Sequence, residues 1–542
     1  MKRTSLLITA LALPFALAAQ NSYNSAQEAA KAVTVKVDTS HEPIQKGKYK
    51  PTWESLSDYE CPTWFRDAKF GIWAHWGPQC QPEYGDWFAR RMYEPGSDAY
   101  TFSKEARNPQ KDFGFKDWIH EWKAENWNPE KLVKLYQECG AKYFFALANH
   151  HDNFDLWDSK YQPWNATSIG PKKNLIAGWA AACRKLGLPL GLSVHAAHAW
   201  TWYETSRGAD KTGTFKGQPY DGRLIKADGK GTWWDGLDPQ DLYEQRHELS
   251  KNSGEWDWDP AQVTVPDQAY CNRFYNRTMD LINKYDPSVV YFDDTVLPLY
   301  PFSDAGLQLT AHLYNKSMAE NNGRNKMVVT GKVLKDWHKK AIVWDVERGA
   351  PDRIQPLPWQ TCTCIGSWHY DKRHFYNGTY KSAKTVIQTL VDVVSKNGNL
   401  LLSIPVRADG TIDSLEYQVV REIGAWLNVN GESIYGTRPW YQFGEGPSAE
   451  AVNPIAEQGF NEGKVKYTSA DIRYVTKGKT IYATTLDVPQ AGSTVKLKAV
   501  LKAHRVTLLG YGKVAFKSSK QGLSITLPHA LPNRIALVMK IE

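Results

Sequence analysis

From residue 53 to about residue 405 the chain repeats one pattern. Short apolar runs, rich in β-branched and aromatic residues, are set off by polar punctuation. The runs are Phe70–Ala74, Tyr143–Ala148, Leu188–Val194, Val289–Phe292, Met327–Val329, Ile342–Val346, Cys362–Ile365 and Leu400–Ile404. Their length and composition predict buried strands. Helical spacing of apolar positions appears between several of them, at Glu130–Cys139, Leu175–Leu186, Arg273–Lys284, Leu307–Met318 and Ser382–Ser395. Alternating strands and helices imply an α/β fold with a parallel sheet. Eight such runs predict a (β/α)8-like, TIM-type barrel over residues 53–439. The stretch between the fifth and sixth runs has no helical pattern, so irregularity is expected there. After a helical segment at Leu415–Leu427 the period changes. Runs such as Ile472–Val475, Thr480–Thr485, Val495–Leu501, Val506–Leu509 and Ser524–Leu527 alternate with turns. This predicts an antiparallel β-sandwich over residues 440–542.

The N-terminus reads differently. Lys2 and Arg3 precede a short apolar stretch, Leu6–Phe15, and small residues at Ala16–Ala19. That is the pattern of a cleaved secretory signal peptide over residues 1–19, which predicts a secreted or periplasmic protein. Residues 20–52 are polar and read as an N-terminal arm or linker. No other run reaches the ~18 apolar residues of a membrane helix, so no membrane span is expected.

Composition changes this picture little. Hydrophobic residues at 42% and charged residues at 23% are ordinary for a globular chain. Loss of Lys2 and Arg3 with the signal takes the formal charge from +8 to +6. The charge forms no basic block, so nucleic acid is not an expected partner. Tryptophan stands out at 23 residues. Indole faces stack on sugars, but they also fill cores. The seven cysteines are odd in number. Cys362 and Cys364 lack the further ligands of a zinc site and are read as structural. Sequons at Asn165, Asn276, Asn315 and Asn377 matter only in a eukaryotic host.

Ionisable residues gather at the C-terminal ends of the apolar runs: His75, His150 and His151, His195, Asp293 and Asp294, Glu347, and His369. Barrel enzymes place their chemistry at that rim. Two carboxylates across a rim can cleave a glycosidic bond, one attacking or activating water and the other protonating the leaving oxygen. Asp293 ends the apolar Val289–Phe292 run, and strand alternation lets only one of Asp293 and Asp294 face inward. Glu347 follows the sixth run. The ordinary structural alternatives are a helix cap for Asp293 and an ion pair with Arg348 for Glu347. Glu83 and Asp345 remain as other proton donors.

Three segments resemble the α-L-fucosidases of glycoside hydrolase family 29: Trp64–Gly77 (WFRDAKFGIWAHWG), Ala141–Trp157 (AKYFFALANHHDNFDLW) and Ser395–Pro405 (SKNGNLLLSIP). The resemblance implies a barrel followed by a β-sandwich, a retaining mechanism, no cofactor and no metal, and a fucosylated oligosaccharide as partner. It implies Asp293 as nucleophile, because Tyr291-Phe292-Asp293 matches the family's strand end, although Asp294 stands where the family usually has Gly. Glu347-Arg348-Gly349, ahead of Pro358–Tyr370, resembles the acid/base motif of the subgroup acting on branched α-1,3/1,4-linked fucose, and Ser193–Trp202 also resembles that subgroup. Implied sugar-hydroxyl ligands are His75, His150, His151 and His195. Asp86 and Trp87 match an acid followed by Trp, and Trp73 matches a position lining the pocket for the sugar's C6 methyl. Tyr291 and Trp368 complete the implied substrate-binding set. Asn149 and Asn174 depart from the Lys and Asp of the family.

Three rivals are kept. An exo-α-L-galactosidase acting on L-galactose-containing, algal and sulfated galactan oligosaccharides would share the machinery but need a polar partner at C6. A metallohydrolase could use His150, His151, Asp152 and Asp155, but adjacent strand-end residues are expected to diverge. A non-catalytic sugar-binding protein would not need both acids.

Overall fold

In the computed structural model, which describes residues 23–107, 113–451, 453–455 and 459–542, the eight apolar runs become eight parallel strands. The signal-peptide segment 1–19 lies outside the described residues. The strands are β1 (Phe70–Ala74), β2 (Phe144–Asn149), β3 (Leu190–Val194), β4 (Val289–Phe292), β5 (Val328–Gly331), β6 (Val343–Glu347), β7 (Trp359–Cys364) and β8 (Gly398–Ser403). They pair in sequence order, and β8 returns to β1 through Phe70↔Leu400 to Trp73↔Ser403. Every strand residue outside β6 is buried. Burial on both faces explains why these strands read as continuous apolar runs rather than alternating ones.

The helices Pro129–Glu138, Leu175–Leu186, Gln268–Tyr285 and Ala383–Ser395 each begin at a capping side chain: Asn128, Asn174, Asp267 and Ser382. The expected irregularity lies between β5 and β6. Only a 3-10 turn, His338–Lys340, separates them, and their ladder has just two pairs, Thr330↔Val343 and Gly331↔Trp344. The indoles of Trp76, Trp122, Trp157, Trp164, Trp179 and Trp359 are fully buried, so much of the tryptophan excess is core. All seven cysteines are free thiols, and Cys362 and Cys364 are buried in β7. Asn165, Asn276 and Asn315 are buried in hydrogen bonds, which leaves Asn377 as the exposed sequon.

Residues 23–52 run along the helix Ala305–Glu320. Val37 N–H donates to Asp304, Gln45 N–H donates to His312 Nδ1, and Tyr49 exchanges two bonds with Asn315. Beyond the barrel, a six-stranded antiparallel sheet contains Arg438–Glu445, Ile472–Lys477, Thr480–Thr485 and Val538–Ile541. It shares a core with a three-stranded sheet of Thr494–Leu497, Phe516–Ser519 and Gly522–Thr526. This unit touches the barrel in two ways. Arg473 reaches Asp392 on the helix Ala383–Ser395 with a 2.6 Å ion pair. Residues 459–462 lie as a strap on the end of β6: Gly459 pairs with Glu347, Phe460 N–H donates to Glu347 C=O at 2.8 Å, and Glu462 N–H donates to Arg348 C=O.

Candidate active site

Asp293 leaves the end of β4 with its carboxylate inside the rim. Oδ2 accepts from His195 Nδ1 at 2.9 Å and contacts His151 Nε2 at 3.2 Å. Oδ1 accepts from Lys332 Nζ at 2.5 Å. Burial opposes ionisation of Asp293, but the Lys332 ammonium and the two imidazoles outweigh it and hold the carboxyl well below the usual range. Asp294 points the other way. It bonds His198 Nε2 at 3.0 Å and caps Leu299 N–H, so the neighbouring acid is a structural group. The His198 ring is stacked between Trp256 and Trp258.

Glu347 ends β6, and its Oε2 accepts from the same Lys332 nitrogen at 2.5 Å. Two equal contacts to one nitrogen keep the two carboxylate oxygens within twice that distance. Burial disfavours the Lys332 charge, but Asp293 and Glu347 together raise its pKa well above the ordinary lysine value. Asp345 lies two residues deeper on the same face of β6. It is bonded to Gln360 and the Cys362 thiol, and burial pushes it up to about 6. Glu83 faces Arg407 at 3.4 Å instead.

Around this pair stand His75, His150, His151, His195 and His369, all buried. Burial pushes His75 and His150 well below the ordinary histidine value and His195 down to about 4. These rings are neutral at neutral pH. A neutral imidazole offers one donor and one acceptor, the set that recognises a hydroxyl. Both ring nitrogens of His75 and of His369 have no hydrogen-bond partner in the empty pocket, nor has His195 Nε2. Gln79 orients His150 through Nδ1 at 2.8 Å. The Trp73 ring forms the wall, with centroids 4.6 Å from His75, 4.9 Å from Tyr291 and 5.6 Å from Trp368.

Asp86 accepts from the backbone N–H groups of Trp368 and His369, so it fixes the loop that carries them. Trp87 is 37% exposed and packs edge-on to Trp202 at the mouth. Asn149 accepts from His195 and Ala196 N–H and thereby shapes the end of β3. Asn174 caps the helix Leu175–Leu186, away from this chemistry.

The expectation that His150 and His151 diverge is corrected. Their rings are 4.4 Å apart, and with His195 they bring three ligand atoms within 4.8 Å of one another, as do His75, His150 and His369. A tetrahedral zinc with nitrogens at about 2.0–2.1 Å needs tighter convergence than that. Sequence reasoning missed Lys332, Gln79 and His198, and noted His369 only as a rim residue. For Lys332 the available signal was its place just after the fifth apolar run.

The chain matches the family profile described as alpha-L-fucosidase over residues 37–432, and the alpha-L-fucosidase C-terminal domain over residues 465–542. It is 28% identical over 501 residues to the plasma alpha-L-fucosidase of Homo sapiens, covering 90% of each chain. It is 27% identical over 502 residues to the tissue alpha-L-fucosidase of Rattus norvegicus, covering 89% of each. The Thermotoga maritima alpha-fucosidase solved in complex with fucose shares the fold with a TM-score of 0.65 at 24% identity, over 91% of this chain and 100% of that one. Profile matches across the barrel and again across the C-terminal sheets establish that this chain belongs to the α-L-fucosidases, glycoside hydrolase family 29.

Proposed function

We propose that this protein is a secreted, retaining α-L-fucosidase that removes terminal α-1,3/1,4-linked fucose from oligosaccharides. Asp293 is the nucleophile and Glu347 the acid/base. The observation that carries this reading is the pair's spacing. Both oxygens touch one nitrogen at 2.5 Å, which agrees with the ~5–5.5 Å separation of a retaining pair and leaves no room for the extra water of an inverting one. In the first step Asp293 attacks the anomeric carbon and the C–O bond to the leaving group breaks as Glu347 gives its proton to that oxygen. In the second, Glu347 takes a proton from water, which displaces Asp293. His75, His150, His151 and His195 bind hydroxyls, with Trp73 and Trp368 against the apolar face of the sugar. The family membership supports the sugar, and the Glu347-Arg348-Gly349 motif supports the linkage.

The test is turnover of para-nitrophenyl α-L-fucoside, para-nitrophenyl α-L-galactoside and a branched α-1,3/1,4-fucosylated oligosaccharide, with Asp293→Ala beside the wild type. Fucose release is expected, with the α-anomer formed first by NMR, and a fall of at least about a thousandfold in the variant. A β-anomer product, or an active Asp293→Ala, would sink the assignment. Turnover of the galactoside alone would keep the mechanism and replace the sugar.

A further inference from the structure

Lys332 stands where the reaction has to happen. Its ammonium touches Asp293 Oδ1 and Glu347 Oε2 at 2.5 Å each. Asp293 Oδ2 is already engaged by His151 and His195, so Oδ1 is the oxygen left to attack. In a retaining enzyme the anomeric carbon and the glycosidic oxygen lie between these same two carboxylates. An ammonium in contact with both fills that space.

We propose that Lys332 is a placeholder that substrate displaces, its positive charge being exchanged for a proton on Glu347. The inference rests on the roles given to Asp293 and Glu347 above. Once the ammonium leaves, two carboxylates face each other, and like charges that close cannot both stay ionised. Asp293 keeps its hydrogen bonds to His151 and His195, so Glu347 takes the proton. That is the protonation state the first step needs, reached only when the site is filled. The position of Lys332 suits such a movement. It lies just past the end of β5, beyond the last β5–β6 pair, and its backbone N–H is held by Thr295 C=O at 2.8 Å.

The groups facing the exchange are Tyr291 from β4, Asp345 and Arg348 from β6 and its end, Cys362 from β7, and His151 and His195 from the ends of β2 and β3. Burial drives the Cys362 thiol and the Tyr291 hydroxyl far up, so neither titrates near neutrality. Asp345 is pushed to about 6 and contributes a background that wild type and variant share.

The experiment is calorimetric titration of the full-length protein with L-fucose at pH 7, in two buffers of different ionisation enthalpy. The wild type is expected to take up close to one proton per sugar. Lys332→Met is expected to take up almost none, because Glu347 already holds the proton, and to bind L-fucose about tenfold more tightly, since no charge-assisted bonds need breaking. Lys332→Arg, which keeps the charge, should retain the uptake. Uptake unchanged in Lys332→Met, or no uptake in the wild type, would overturn the proposal, and the wild-type result decides even if Lys332→Met fails to fold. Glu347→Gln separates this from the reading beneath it. If Glu347 is the donor, that variant still cleaves α-L-fucosyl fluoride, whose leaving group needs no proton, but loses oligosaccharide turnover. Normal oligosaccharide turnover would discard the donor assignment itself.

Discussion

Replacing Asp392 by alanine removes one carboxylate and strands two buried cations. Asp392 lies on the helix Ala383–Ser395. Its Oδ1 accepts from Arg473 Nε at 2.6 Å and its Oδ2 from Lys396 Nζ at 2.7 Å, with side-chain exposures of 5%, 2% and 8% for Asp392, Arg473 and Lys396. Removing one partner of a buried ion pair costs about 3–5 kcal/mol, a large part of a typical total of about 5–15 kcal/mol. Lys396, whose pKa burial already lowers, can relieve its share by deprotonating. Arg473 cannot, so most of the cost stays. Urea unfolding followed by tryptophan fluorescence should show a loss of that size, with the C-terminal sheets released before the barrel. Asp392→Leu combined with Arg473→Met and Lys396→Met should recover most of it, because a well-packed apolar replacement is often neutral. A loss below about 1 kcal/mol for Asp392→Ala, the scale of an exposed pair, would refute the reasoning. The pH dependence has a definite sign. Burial opposes ionisation of Asp392, but Lys396 and Arg473 outweigh it and place its folded pKa below the unfolded value. The contribution is therefore complete above the unfolded pKa of about 4 and is lost as the pH falls through the folded pKa. Asp392→Ala should flatten the acid side of the stability profile.

Two further outcomes are expected. Gly459→Ala puts a Cβ 2.0 Å from Glu347 C=O at a position with φ +129°, so the strap must shift; steady-state kinetics should show kcat/KM reduced about a hundredfold, the scale of a 1 Å misplacement. Asp294→Ala takes the partner from His198 and the cap from Leu299 and should lower stability by about 1–3 kcal/mol in thermal melts, while its activity at low temperature stays far above that of Asp293→Ala.

The barrel was legible because its strands are buried on both sides. Phe70–Ala74 and Val289–Phe292 are uninterrupted apolar runs with polar ends, and their bounds are the same in the structure. Arg438–Glu445 escaped notice because most of its residues are half-exposed and one fully so, which leaves no clean period. The split between Asp293 and Asp294 followed from alternation, but alternation does not tell which residue faces in. The meeting of Lys332 with both acids depends on barrel closure and on where β5 stops, neither of which any local pattern encodes. The His150–His151 expectation failed for a related reason. The regular β2–β3 register shifts between Leu147 and Asn149, so the pair lies past the strand, where alternation no longer governs direction.

The strap of residues 459–462 also bears on biosynthesis. The backbone that finishes the Glu347 end of β6 is supplied from far downstream, after the whole barrel sequence has emerged. A chain still being translated can therefore close its eight strands and yet lack a completed proton-donor edge. Competence to hydrolyse is acquired late, when the C-terminal sheets have folded and docked, so a half-made molecule is kept from acting on glycans inside the cell that makes it.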